Sequence, residues 1–303
     1  MMIDDVREAL RSVVAIPVTP FDDTGGFDEP AYAAIVTRLV NAGVTALTPN
    51  GNTGEFYSLT PTELARTVAI TVEVADGAAT VIAGVGHDRD RAVALARDAR
   101  AAGAQAVMVH QPVHPYQSPE GWLGYHRAVA EAVPGLAVVC YVRSPMVTAA
   151  TLTTLADACP NVIGVKYAVP DPVGFADLAA AAGRLTWVCG LAETWAPFFW
   201  LGGAEGFTSG LVAIAPELSL ELLARLRRGD IAGAMDLWRR LKPIEDLRAR
   251  RDNANNVSAV KEALAQLGLC GRSVRPPISE LPANERAEVA EILRSLRVPA
   301  GTS

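Results

Sequence analysis

Lysine is nearly absent from this chain: of 27 lysines and arginines in 303 residues, only Lys166, Lys242 and Lys261 are lysine. A basic footprint for nucleic acid is missing too, because 33 Asp and Glu hold the formal net charge at −6 and no run of one sign is long enough to act as an interaction tail. Arg248, Arg250 and Arg251 do cluster, but Glu245, Asp246 and Asp252 flank them, so they read as a solvated helix face. The four cysteines, Cys140, Cys159, Cys189 and Cys270, lack metal-ligand spacing. Cys140 and Cys189 lie inside apolar runs as small core residues, which fits a reducing compartment. No apolar run reaches the ~18 residues of a membrane span. The opening Met1-Met2-Ile3-Asp4-Asp5 carries acids where a secretory signal carries basic residues, and the expectation is a cytoplasmic protein. None of the histidines His87, His110, His114 and His126 pairs with a serine or cysteine in a triad pattern, and His126 falls in a helical stretch, facing solvent or packing.

What is present is hydrophobic residue, 50% of the chain, enough for one large core or one core with an appendage. Short runs rich in Val, Ile and Ala recur at 12–18, 44–49, 79–84, 105–110, 136–141, 161–166, 185–190 and 204–208. Each is followed by a stretch of helical periodicity. Strands apolar on both faces that alternate with helices imply parallel pairing, and eight such units close into a TIM (β/α)8 barrel. A doubly wound sheet needs a phosphate-binding glycine fingerprint after its first strand, where Pro17-Val18-Thr19-Pro20 stands instead. Thr60-Pro61-Thr62-Glu63 has the order of a capping box, and Gly43 and Gly103 suit the left-handed turn that ends a helix. Beyond residue 215 the alternation stops, and helices are expected near 217–227, 230–248, 256–267 and 284–297. The expected division is a barrel over 1–227 and a helical C-terminal domain over 228–303.

Catalytic groups of a barrel gather where its strands end. The second strand ends at Asn50-Gly51-Asn52-Thr53-Gly54-Glu55, the fifth at Tyr141-Val142-Arg143, the sixth at Lys166 and the seventh at Gly190. A buried strand-end lysine loses basicity and becomes a Schiff-base nucleophile; an exposed one snorkels to solvent. Both readings stand on position alone. The Gly51–Gly54 loop can present backbone N–H groups and the Thr53 hydroxyl to a carboxylate, or be a tight turn with no ligand. Tyr141 can exchange protons or simply pack in its strand, and Arg143 can bind a carboxylate or form an ion pair.

Taken together, Gly51-Asn52-Thr53-Gly54-Glu55, Tyr141 and Ile163-Gly164-Val165-Lys166 resemble the dihydrodipicolinate synthase/N-acetylneuraminate lyase superfamily of Schiff-base aldolases. Ile16-Pro17-Val18-Thr19-Pro20-Phe21, Gly206-Phe207-Thr208-Ser209-Gly210, Val260-Lys261-Glu262-Ala263-Leu264 and Val274-Arg275-Pro276-Pro277 extend the resemblance over most of the chain. It implies that Lys166 forms an imine with a keto carbon, that Tyr141 shuttles protons, and that Thr53 with Gly51 and Asn52 holds the adjoining carboxylate. Gly190 would offer its backbone, and Thr208 and Ser209 would line the floor. No cofactor or metal is implied, the partner is a small keto acid, and a homotetramer or homodimer is expected.

The departures narrow the reaction. Synthases of this family carry two threonines in the glycine loop, a tyrosine pair after the fourth strand and an arginine placed as in Tyr-Asn-Val-Pro-x-Arg. Here Asn52, Val113-His114 and Met146 stand at those places, and whether His114 replaces the relay tyrosine is open. By contrast, Gly54-Glu55-Phe56-Tyr57-Ser58-Leu59-Thr60, with Arg143 two residues after Tyr141, resembles the 5-dehydro-4-deoxyglucarate dehydratase branch. There Arg143 would bind the distal carboxylate of a 2-keto-3-deoxy sugar acid. A dihydrodipicolinate synthase-like or other pyruvate-dependent aldolase, and a keto-acid-binding barrel without catalysis, are the alternatives.

Overall fold

Runs that are apolar on both faces must be covered on both, and the chain does this by wrapping strands into a ring and helices around it. The computed structural model describes residues 3–298. Its strands are β1 (Val13–Ala15), β2 (Ala46–Leu47), β3 (Thr80–Val85), β4 (Ala106–Val109), β5 (Ala137–Val142), β6 (Val162–Tyr167), β7 (Thr186–Cys189) and β8 (Gly206–Ser209). They pair in chain order, all parallel, and β8 returns to β1 to close the barrel. After β1 to β8 come α2 (Glu29–Asn41), α3 (Pro61–Ala75), α4 (Arg89–Ala101), α5 (Pro119–Ala132), α6 (Ala149–Ala158), α7 (Pro172–Ala181), α8 (Ala192–Leu201) and α9 (Pro216–Arg227). All eight expected strands and their helices are present.

The helix starts follow from side-chain chemistry. Thr60 Oγ1 accepts from the Glu63 N–H at 3.3 Å while Glu63 Oε2 accepts from the Thr60 N–H at 2.8 Å, so the capping box is complete. Gly43 and Gly103 have φ of 88° and 95°, left-handed values that a side chain resists.

Helix α1 (Ile3–Leu10) was not expected from the sequence. Asp4 and Asp5, in its first turn, favour the positive end of a helix. Val6, Ala9 and Leu10 of α1 pack with Val14, Ile82, Met108 and Val139 in the barrel interior, sealing the end where the strands begin. Gly206 is required there, because a Cβ would lie 2.2 Å from the Leu10 carbonyl oxygen. The site must therefore form at the other end.

Helices α10 (Ile231–Asn253), α11 (Ser258–Gln266) and α12 (Ala283–Leu296) form the C-terminal extension, with α10 packed on α8 and α9. Helical geometry breaks at Arg250, and Arg251, Asp252 and Asn253 have φ of 52°, 56° and 66°. Consecutive left-handed residues other than glycine are costly and collect where function over-determines the backbone. No described helix is long and apolar enough to cross a membrane.

Candidate active site

A cavity of 320 Å3 opens at the C-terminal ends of the strands, a size suited to a small organic ligand. Tyr141 and Lys166 are register partners on β5 and β6, so both point inward on the same layer. Lys166 is 3% exposed, and its Nζ lies 4.0 Å from the Tyr141 ring centroid. Burial, with repulsion from Arg143 added, lowers the amine to about 7. Its burial excludes the snorkelling alternative, and an amine so lowered loses its proton near neutral pH, as a Schiff-base lysine must. Gly190 makes room for it: a Cβ there would come within 2.8 Å of the Tyr167 carbonyl oxygen and 3.0 Å of Lys166 Cγ.

The phenol of Tyr141 is raised above the usual tyrosine range by burial, although Arg143 and the Asn52 amide pull the other way. Asn52 Nδ2 lies 3.5 Å from that hydroxyl, and Asn52 Oδ1 is buried without a partner. Asn52 and Thr53 sit on a single 3-10 turn, Asn52–Gly54, and both line the cavity. Arg143, Gly190 and Thr208 line it too. Gly51 stands back from the lining, and its missing side chain lets it rest on Ile16, whose Cγ2 would be 2.4 Å from a Cβ. Ser209 also faces away, donating to Glu193 Oε1 at 2.6 Å. His114 is exposed in the loop after β4, where its Nδ1 lies 2.8 Å from the Tyr116 carbonyl oxygen.

Several contributors were not legible in the sequence. His110, one residue past β4, stacks on Phe56 at 4.3 Å and stands 5.8 Å from the Tyr141 ring. Burial drops it to about 3, so it is a neutral ring behind Tyr141 and not part of the cavity lining. Its Nε2 meets the Asn50 carbonyl oxygen at 2.8 Å, leaving Nδ1 as a buried acceptor. His126 lies wholly inside α5's packing, stacked on Trp122 at 3.7 Å.

The C-terminal helices build the facing wall, and here the expectation of a solvated arginine cluster fails. Arg250 and Arg251 do reach outward, to Glu288 and Glu285. Arg248 instead is 5% exposed and lines the cavity, with its Nη1 2.6 Å from Glu245 Oε1. Asn253 and Asn256, beyond the break in α10, line the same wall. Behind it Glu193 is fully buried, accepting from Ser209 and Ser219, with Oε2 unpartnered. Burial and the nearby Glu245 charge raise its carboxyl to about 7. Among the described residues, no group of three His, Cys, Asp or Glu gathers at metal-binding distances.

Against known proteins, residues 9–296 match the model of the dihydrodipicolinate synthetase family. The chain belongs to that family. A protein of Saccharopolyspora erythraea named probable 5-dehydro-4-deoxyglucarate dehydratase is 37% identical over 303 residues, covering 96% of each chain. Another of that name, from Methylobacterium radiotolerans, is 34% identical over 94% of this chain and 95% of its own. Among solved structures, dihydrodipicolinate synthase from Oceanobacillus iheyensis superposes with a TM-score of 0.93 at 36% identity, over 98% of this chain and 100% of that one. As a dihydrodipicolinate synthetase family member, the chain is a lyase of the class I aldolase type.

Proposed function

We propose that this enzyme removes water and carbon dioxide from a 2-keto-3-deoxy sugar diacid of the 5-dehydro-4-deoxyglucarate type, through an imine on Lys166. The observation that carries the reading is a buried amine lowered to about 7, against a phenol and beside a loop suited to a carboxylate.

The amine attacks the keto carbon, and the oxygen leaves as water with protons passed by Tyr141. The protonated imine then acts as an electron sink. It acidifies the neighbouring CH2, whose proton is removed as the hydroxyl one carbon further leaves as water. Loss of the distal carboxylate as CO2 sends its bonding electrons through the new double bond into the imine. Reprotonation on carbon and hydrolysis free Lys166 and release a five-carbon 2-keto acid with a terminal aldehyde. Thr53 and Asn52 hold the carboxylate beside the imine. The names of the Saccharopolyspora erythraea and Methylobacterium radiotolerans relatives support this substrate class.

A synthase reading draws on the likeness to the Oceanobacillus iheyensis dihydrodipicolinate synthase, but a threonine next to the tyrosine is what that chemistry asks for, and Asn52 occupies the place. Borohydride treatment with the keto-deoxy diacid, followed by mass spectrometry, tests the imine: a reduced adduct on Lys166 is expected, and an unmodified Lys166 refutes the mechanism. Release of CO2 and aldehyde in the untreated reaction separates the dehydratase from an aldolase and from a barrel that only binds.

A further inference from the structure

Two guanidinium groups line the cavity, on different sides of Lys166. Arg143 follows β5 and is exposed, and its field reaches Lys166 and Tyr141. Arg248 lies three strands round the barrel, against Gly210 at the end of β8, and its charge is felt by Glu193. Lys166 on β6 stands between them.

Arg248 is buried, and three of its N–H groups are taken: by Glu245 Oε1 at 2.6 Å, the Asn256 carbonyl oxygen at 3.2 Å and Asn256 Oδ1 at 3.0 Å. A guanidinium has five donors. One N–H on Nη1 and one on Nη2 are left, in a residue that lines the cavity. Gly210 locates the second, since a Cβ there would lie 3.0 Å from Arg248 Nη2 and 3.2 Å from Thr53 Oγ1. The absence of a side chain at Gly210 therefore leaves open the space that separates the buried cation from the loop hydroxyl. A buried guanidinium with unfilled donors is unfavourable unless an anionic ligand completes it.

We propose that Arg248 is a substrate-binding residue that takes the second carboxylate of a dicarboxylic keto acid and so selects diacids over monoacids. This rests on the imine reading of Lys166 for the ligand's orientation: the first carboxylate is bonded to the imine carbon and stays beside Lys166, leaving the far end of the chain for Arg248. The resemblance gave that far end to Arg143, but water screens an exposed arginine, whereas a charge-assisted hydrogen bond in a buried wall keeps its strength.

The test compares a 2-keto-3-deoxy aldaric acid with the 2-keto-3-deoxy aldonic acid of equal length, which ends in CH2OH. Arg248→Met should weaken imine formation with the diacid, read as borohydride-trapped Lys166 against ligand concentration, about 10- to 100-fold more than with the monoacid, as the loss of a charge-assisted hydrogen bond implies, and Arg248→Lys should restore part of the preference. Because Arg248→Met strips Glu245 of its partner, Glu245→Gln/Arg248→Met is measured beside it and should show the same change of preference. Calorimetric affinities for the two acids in a Lys166→Met background, where no imine forms, read Arg248 independently of the covalent step. Failure of the imine reading shows separately, as wild-type Lys166 left unmodified by borohydride. Equal losses on both acids, equal affinity of the Lys166→Met parent for both, or a loss of diacid preference in Arg143→Met instead, each overturn the assignment.

Discussion

Lys166 Nζ lies over the face of the Tyr141 ring, 4.0 Å from its centroid, while the Tyr141 hydroxyl reaches towards Asn52 Nδ2 at 3.5 Å. The pair is held by register, each on its own strand, and the phenol is directed at the Asn52–Gly54 turn. The ring face favours the ammonium by roughly 0.5–2 kcal/mol, yet burial outweighs it and sets the amine at about 7. Only the neutral amine attacks a ketone. Below about 7, kcat/KM should therefore rise tenfold per pH unit, and level above it. Arg143→Met removes the second cause of the depression and should move the inflection upward. A pH–rate profile of both proteins checks this, and a flat profile across pH 6–8 rejects it.

Tyr141→Phe keeps the ring under the ammonium and removes only the hydroxyl. Turnover should fall by roughly the 10²- to 10⁴-fold of a lost acid–base group. Because burial sets the amine's basicity, the residual activity should keep its inflection near 7. Single-turnover rates across pH separate the two effects. Near-wild-type turnover would remove the phenol from the chemistry.

Lys166 and Tyr141 were legible because their signals are local: an apolar run, a polar residue at its end, and the family's order of motifs. The barrel was legible for the same reason, each strand and helix carrying its own periodicity and several their own caps. Arg248 was not, since charges three residues apart on a helix look the same whether water or α8 and Gly210 lie opposite them. Glu193 was hidden more deeply, because the serines that hold it are 16 and 26 residues away and on different elements. Helix α1 gave only a short amphipathic signal.

Glu193 makes stability depend on pH in a defined direction. Its folded carboxyl is raised from 4.5 to about 7, so the folded state keeps a proton that the unfolded chain gives up near 4.5. The stabilisation is fully present below the unfolded value and is lost as pH rises through about 7. Glu193→Gln can still accept from Ser209 and Ser219 and never ionises. It should unfold at about the same urea concentration as wild type at pH 4 and be more stable by about 3 kcal/mol at pH 8. The reverse order in urea titrations at the two pH values would reject a protonated Glu193.

The loop around Asn52 and Thr53 is tied from behind by an ion pair with no exposure on either side chain: Lys261 Nζ lies 2.5 Å from Glu55 Oε1. Glu55 directly follows the Asn52–Gly54 turn with φ of 60°, and its Oε2 accepts the Arg275 N–H at 3.0 Å. Lys261 on α11 also donates to the Ser273 carbonyl at 2.7 Å and stands 4.0 Å over the Phe21 ring. Lys261→Met should cost about 3–5 kcal/mol, because it strands a carboxylate in a dry site, rather than because the pair itself is strongly stabilising. Glu55→Gln/Lys261→Met removes both charges and should recover most of that loss. The recovered protein still lacks the strut behind Asn52 and Thr53, so its KM should stay above wild type even where its stability returns. Urea denaturation and steady-state kinetics on the three proteins distinguish these terms. A double variant as unstable as the single one would mean that packing around Phe21, and not the stranded charge, governs how α11 holds the loop.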